Sequence, residues 1–170
     1  VDYLPGSYGV QYGRSLGGVV EVKTKKEFPE QGKFTWSTDV LDSGGFVQGR
    51  VNNFGIAAAA RRSYVDAFIP LLTQNSNFVV KPRWYDYQVK VDQLERSNGQ
   101  FSVFLFGFQD VLEASTADDF AQGTDPDSQG EFGTEYSTHR AYIKWTHNVN
   151  DNWQLRFLPS IGTDRTVFNA

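Results

Sequence analysis

The side chains best suited to metal binding or proton transfer are the two histidines, His139 and His147. They lie eight apart in an alternating stretch, and eight residues of strand span about 26 Å, so the pair cannot share an ion. Both read as surface or interfacial histidines near Trp145. With no Cys, the chain has no thiol nucleophile, disulfide framework or Cys-ligated metal site. No Gly-x-Ser-x-Gly elbow is present either. No catalytic residue, metal site or cofactor is therefore expected. Residues 113–135 carry Glu113, Asp118, Asp119, Asp125, Asp127, Glu131 and Glu135 with no Lys or Arg. The run from Asp125 begins with the acid spacing of a calcium loop, but its twelfth position is Tyr136, not Glu. The segment reads as a solvated, mobile acidic loop. Arg61 and Arg62, adjacent in an extended stretch, point to opposite faces.

These groups sit on a chain that reads as strand after strand. Residues 1–27 are rich in Gly and turns and end in an alternating run, Gly18 to Lys25. Residues 28–32, Phe-Pro-Glu-Gln-Gly, interrupt it and mark the boundary between an N-terminal piece, 1–27, and a strand region, 33–170. Seven strands are expected after the boundary: 33–40, 46–51, 54–67, 84–95, 100–111, 138–149 and 153–158. Asp42 to Gly45, Asn52-Asn53, Arg96 to Gly99 and Asn150 to Asn152 read as turns, and 68–83 and 113–135 as long connections. No helix signature leads into a 3.6-residue period, and Ala57 to Ala60 is taken as strand.

Two regularities follow. Counted along seven strands, the short turns at 52–53, 96–99 and 150–152 fall at one end. Both long connections fall at the other, together with the tight turn at 42–45. Outer-membrane barrels share this polarity. In 84–95, Tyr85, Tyr87, Val89 and Val91 alternate with Asp86, Gln88, Lys90 and Asp92. In 138–149, His139, Ala141, Ile143 and Trp145 alternate with Thr138, Arg140, Tyr142 and Lys144. A lipid-facing outside with a polar lumen produces such a pattern, and so does a one-sided soluble sheet.

The net charge of −4 argues against a general nucleic-acid partner. No run approaches the roughly 18 apolar residues of a membrane helix, whereas a membrane strand needs only about 9–11 with alternate residues apolar. An aromatic content of 15%, including 14 Phe and 8 Tyr, suits β structure and aromatic girdles. With no Met and no leader, a chain that begins Val-Asp-Tyr reads as mature or as a fragment.

The segment Tyr8 to Lys25 resembles the end of the plug domain in TonB-dependent outer-membrane receptors. Tyr12, Gly13, Gly17, Gly18, Val19, Val22, Thr24 and Lys25 match the family pattern, and Glu21 stands where Asn is usual. Ala60-Arg-Arg-Ser-Tyr-Val-Asp66 and Trp84 to Lys90 are similar to early barrel strands of such receptors. The resemblance implies an all-β fragment: the C-terminal end of a plug (1–27), a connection (28–32), and the first strands (33–170) of a transmembrane barrel of about 22 strands. It implies a multi-pass protein of a Gram-negative outer membrane that imports a scarce ligand, whether siderophore, cobalamin, sugar or peptide. The driving partner would be the TonB complex, acting through plug segments outside this chain. The other partners would be outer-membrane lipid and the remainder of the barrel.

On that reading Arg61, Asp86, Gln88, Lys90, Arg140, Lys144 and Arg156 face the lumen. An Arg facing mid-bilayer lipid costs ~2–4 kcal/mol, which puts Arg61-Arg62 near the end of its strand. The N-terminal piece is expected against the polar face, with its last strand, Gly18 to Lys25, deprived of pairing partners. Two other readings stand beside this one. One is a soluble β-sandwich binding carbohydrate through Trp36, Trp84, Trp145 and Trp153, and the other is a non-transport outer-membrane barrel subunit.

Overall fold

The computed structural model describes residues 1–6, 9, 17–24, 27–72, 78–94, 98–116 and 131–169. The elements run β1 (Asp2–Leu4), β2 (Val19–Glu21), β3 (Lys33–Thr38), β4 (Asp42–Val51), β5 (Phe54–Ser63), α1 (Val65–Leu72), β6 (Phe78–Gln93), β7 (Gly99–Thr116), β8 (Glu131–Asn150), β9 (Trp153–Phe157) and β10 (Ser160–Asn169). The protein is all-β. β1 and β2 form a two-stranded ribbon, and the other eight strands form one antiparallel sheet.

Each strand from β3 to β8 pairs with the next in sequence. β9 and β10 together occupy the remaining edge of β8, β9 opposite 145–150 and β10 opposite 133–142. The sheet is thus one uninterrupted meander, as the alternation and turn signals lead one to expect. Asn52 holds a φ of 53° in the two-residue turn between β4 and β5, a conformation Asn tolerates better than most residues.

The structure corrects several boundaries. The stretch expected as strand over 54–67 ends at Ser63, and a helix follows where none was expected. The Ser63 hydroxyl is fully buried and accepts from the Trp84 amide at 2.8 Å. Tyr64 then turns the chain, its carbonyl accepting from the Ala67 amide at 3.0 Å. Asp66 lies in the first helical turn, the favourable end for an acid, and Tyr64 meets Phe68 edge-on at 5.7 Å. Eight residues are too few to show a helical period in the sequence.

Asp42 to Gly45 is not a turn but the start of β4. The turn lies at 39–41, where the Asp39 carboxylate accepts from the amides of Leu41 (2.7 Å) and Asp42 (2.9 Å). Gly45 pairs with Trp36, whose ring lies 3.3 Å from where a Cβ would stand. β6, β7 and β8, of 16, 18 and 20 residues, overrun their expected limits. Glu113 and Glu135 accordingly lie in strands, while Asp118, Asp119, Asp125 and Asp127 fall outside the described residues. The last strand does not stop at 158. The chain breaks at Leu158-Pro159, where the Pro159 carbonyl accepts from the Ile143 amide at 3.1 Å, and resumes as β10. Finally, β2 is only Val19–Glu21 and is not without a partner, because it pairs with Asp2–Leu4.

Directly paired residues share a face. The register collects Val47, Ala58, Val89, Leu105 and Ala141 on one side and Gln48, Ala57, Lys90, Phe104 and Tyr142 on the other. The first side is apolar and uncovered: Phe34, Trp36, Phe157 and Ile161 are each more than 60% exposed. Among the described residues Phe28 is the one buried apolar side chain, and it lies on the polar side. No helix among them is long and apolar enough to cross a membrane, a statement about helices only.

The Asp39 carboxyl is held below the ordinary carboxylate range by the amide hydrogen bonds from Asp42 and Leu41. A depressed folded value means that the turn's stabilisation is complete above the unfolded value, about 3.9, and is lost as pH falls through the folded one. The Leu41 and Asp42 amide resonances should hold steady from pH 7 down to about 4 and move below it. Asp39→Asn should abolish that acid step, and an unchanged step in this variant would assign it to another group.

Candidate functional site: the polar face and the strap across it

The seven residues expected to face a lumen all lie on the polar side. Arg61 pairs in register with Asp86, Lys90 with Phe104, Gln88 with Phe106, Arg140 with Phe106 and Gly162, Lys144 with Ser102, and Arg156 with Thr146. The charges of Arg61, Asp86, Lys90 and Arg140 are met locally. The Arg61 guanidinium binds Asp86 at 2.8 Å and approaches Asp42 at 3.6 Å. Arg140 donates to Asp164, which also accepts from the Thr138 hydroxyl at 2.7 Å. Arg61 and Arg62 stand on opposite faces at the long-loop end of β5.

The alternation blurs in β7 because both of its faces are apolar. Val103 and Leu105 take one side, and Phe104, Phe106 and Phe108 the other. Phe104 meets Tyr142 at 5.3 Å between ring centres, and Phe108 meets Tyr136 edge-on at 5.6 Å. The polar side thus alternates ion pairs with aromatic rings.

The N-terminal segment crosses this side. Phe28 fills the space above Gly55, where a Cβ would stand 2.2 Å from its ring. Only glycine leaves room there. The Arg50 Nε donates to the Phe28 carbonyl at 2.8 Å, and the Lys90 ammonium sits 5.4 Å from the ring centre. Beneath the ring lies the most buried ion pair, Lys90 to Asp92 at 2.8 Å, with Ser102 donating to Asp92. Burying Phe28 is worth about 1.5–3 kcal/mol, so this is a firm local anchor. The anchor lies at the short-turn end, because Arg50 and Gly55 flank the turn at 52–53.

Val22, Lys23 and Thr24 roof a groove of about 630 Å³ whose floor includes Gln88, Lys90, Phe104 and Lys144. Lys23 accompanies β2, bonded to Glu21 at 2.9 Å and to Asp2 at 3.1 Å. Those carboxylates, Glu21 foremost, hold its ammonium up to about 12. Within the plug-like motif Gly18 makes a close approach, with the Tyr3 ring 2.6 Å from where a Cβ would stand. Gly17 does not, having nothing within 4 Å. Val19 lies in β2, and Tyr12, Gly13 and Lys25 lie outside the described residues.

The histidines share the apolar side. The His139 Nδ1 lies 3.0 Å from the Tyr87 hydroxyl, and the two rings together cover Gly107. His147 stacks on Trp145 at 5.7 Å. Among the described residues no three His, Cys, Asp or Glu side chains are placed to hold a metal ion. No family model, curated protein or solved structure matches the chain. Sequence reasoning missed Phe28 and Gly55, which are adjacent only in space; the sole signal was an apolar residue inside an otherwise polar connection.

The carboxylates differ in what their loss exposes. Removing one member of a buried pair costs about 3–5 kcal/mol, whereas an exposed pair is worth about 0–1 kcal/mol. Equilibrium unfolding should therefore show Asp92→Ala lowering stability by at least ~3 kcal/mol and Asp164→Ala by under ~1 kcal/mol. Equal losses would mean that burial under the strap does not set the strength of the Lys90–Asp92 pair.

Proposed function

We propose that the chain is the plug end and first barrel strands of a TonB-dependent outer-membrane transporter, which imports a scarce ligand by energy-coupled gating. One observation carries this reading: a single-layer antiparallel meander bears an uncovered apolar face on one side and a polar face, crossed by the N-terminal segment, on the other. Water gives such an apolar face nothing to pack on, and lipid does. Strands of 16 to 20 residues exceed the roughly 9–11 that a crossing needs.

The direction of chain entry supports the same reading. The anchor at Phe28 brings the N-terminal piece in at the short-turn end, which in a barrel of this polarity is the periplasmic end. A plug pulled from the periplasm would meet one firm apolar contact, Phe28 over Gly55, backed by the hydrogen bond from Arg50 to the Phe28 carbonyl. The carbohydrate-binding sandwich calls for a second sheet about 10 Å above the first, yet the described strands from 33 to 169 lie in one sheet.

Single cysteines are introduced at Arg140, Ala141, Tyr142, Ile143 and Lys144 of the whole protein in outer membranes and treated with a water-soluble thiol reagent. Positions 140, 142 and 144 should label and 141 and 143 should not, because the register places the two sets on opposite faces. Equal labelling of both sets would sink the assignment.

A further inference from the structure

The polar side carries a continuous stripe of aromatic rings. Phe104, Phe106 and Phe108 alternate along β7 on this side, and Tyr142 and Tyr136 flank the two ends of the stripe from β8. Between ring centres Phe104 stands 5.6 Å from Phe106 and 5.3 Å from Tyr142, and Phe108 meets Tyr136 at 5.6 Å. Each of the five rings is partly exposed. Phe104, Phe106, Phe108 and Tyr142 line the groove of about 630 Å³ beneath Val22, Lys23 and Thr24. The strap therefore roofs the stripe without filling it, and the space left is of the size that small-molecule sites have.

The register also sets a polar side chain on both sides of every Phe in the stripe. Lys90 and Tyr142 stand beside Phe104, Gln88 and Arg140 beside Phe106, and Asp86 and Thr138 beside Phe108. The charges of this rim cancel. The four rows that cross the stripe hold Lys33, Arg61, Lys90 and Arg140 against Asp42, Asp86, Asp110 and Asp164. Arg61 is already bound to Asp86, and Arg140 to Asp164. An anionic ligand calls for cations in excess, and a wholly apolar one leaves such a rim unused. Rings between neutralised donors and acceptors suit a ligand with apolar faces and hydroxyl edges.

We propose that this stripe is a binding track for a neutral oligosaccharide, each Phe taking one face of a pyranose ring and the flanking side chains taking its hydroxyls. The inference rests on the transporter reading given above and names the class of its cargo. A pyranose face presents C–H groups, which the electron-rich face of an aromatic ring attracts. Its hydroxyls both donate and accept, so paired Arg and Asp serve both directions with charge-assisted bonds, and no charge is desolvated without its partner.

Cellohexaose, maltohexaose and xylohexaose are titrated by calorimetry into the whole protein in a detergent without a sugar headgroup, beside hexagalacturonate as an anionic chain of the same length. At least one neutral hexamer should bind, and more tightly than hexagalacturonate. The triple variant Phe104→Leu/Phe106→Leu/Phe108→Leu keeps apolar bulk but loses the ring faces. It should weaken that binding by about tenfold or more, whereas Phe106→Trp should stay within about twofold of the unmodified protein. Binding of none of the neutral hexamers, a preference for hexagalacturonate, or undiminished binding by the triple variant overturns the proposal. The comparison of neutral and anionic chains on the unmodified protein decides the matter even if the triple variant does not fold. Membrane fractionation run alongside separates the two levels. A protein in the outer membrane that binds no neutral hexamer overturns this inference alone, and a protein absent from the outer membrane overturns both.

Discussion

The backbone hydrogen-bond ladder from β3 to β10 is the constraint on which everything else depends. Side chains alternate with period two, so the register decides which residues meet, and a slip of one residue would exchange the faces. In register, Arg61 meets Asp86, Lys90 lies beside Phe104, and Val89 lies beside Leu105. Ion pairs, anchor and apolar surface all follow from that alignment. Turn chemistry and paired side chains hold it: the positive φ of Asn52, the Asp39 carboxylate under its turn, and the Tyr87–His139 pair over Gly107.

The same ladder sets what the sheet still needs. Its polar face is served from within the chain by ion pairs, tilted and edge-on aromatic contacts and the strap anchored at Phe28. Its apolar face and its two edges are not served by any other described element. Apolar surface left in water forgoes about 25 cal/mol for every Å² that could be buried, and an open edge invites pairing with another strand. In a lipid environment the first becomes an asset and the second becomes intolerable, so further strands must close the sheet. This is the physical core of the proposed barrel.

Much of this was legible in the sequence because it is local. The alternation over 84–95 and 138–149 fixes faces without any knowledge of neighbours, and Asn52-Asn53 marks a hairpin wherever it occurs between strands. The errors came where tertiary context overrides local signals. Gly44 and Gly45 look like a turn but sit inside β4, because Trp36 and Arg61 fill the space that their missing side chains leave. Val65 to Leu72 forms a helix too short to display a period. Pro159 looks like an end but is only a break, since β8 is long enough to pair with both pieces. The anchor of Phe28 on Gly55 joins residues with no local relation, and nothing in either neighbourhood announces it.

The central claim is that the sheet is a sector of a closed barrel, and hydrogen exchange at its edges tests that claim most directly. In the whole protein in detergent micelles, the amides on the outer edges of β3 and of β9–β10 should exchange as slowly as those of the central strand β7, because further strands pair with them. Fast exchange at both edges beside a protected β7 would show an open sheet and contradict the account.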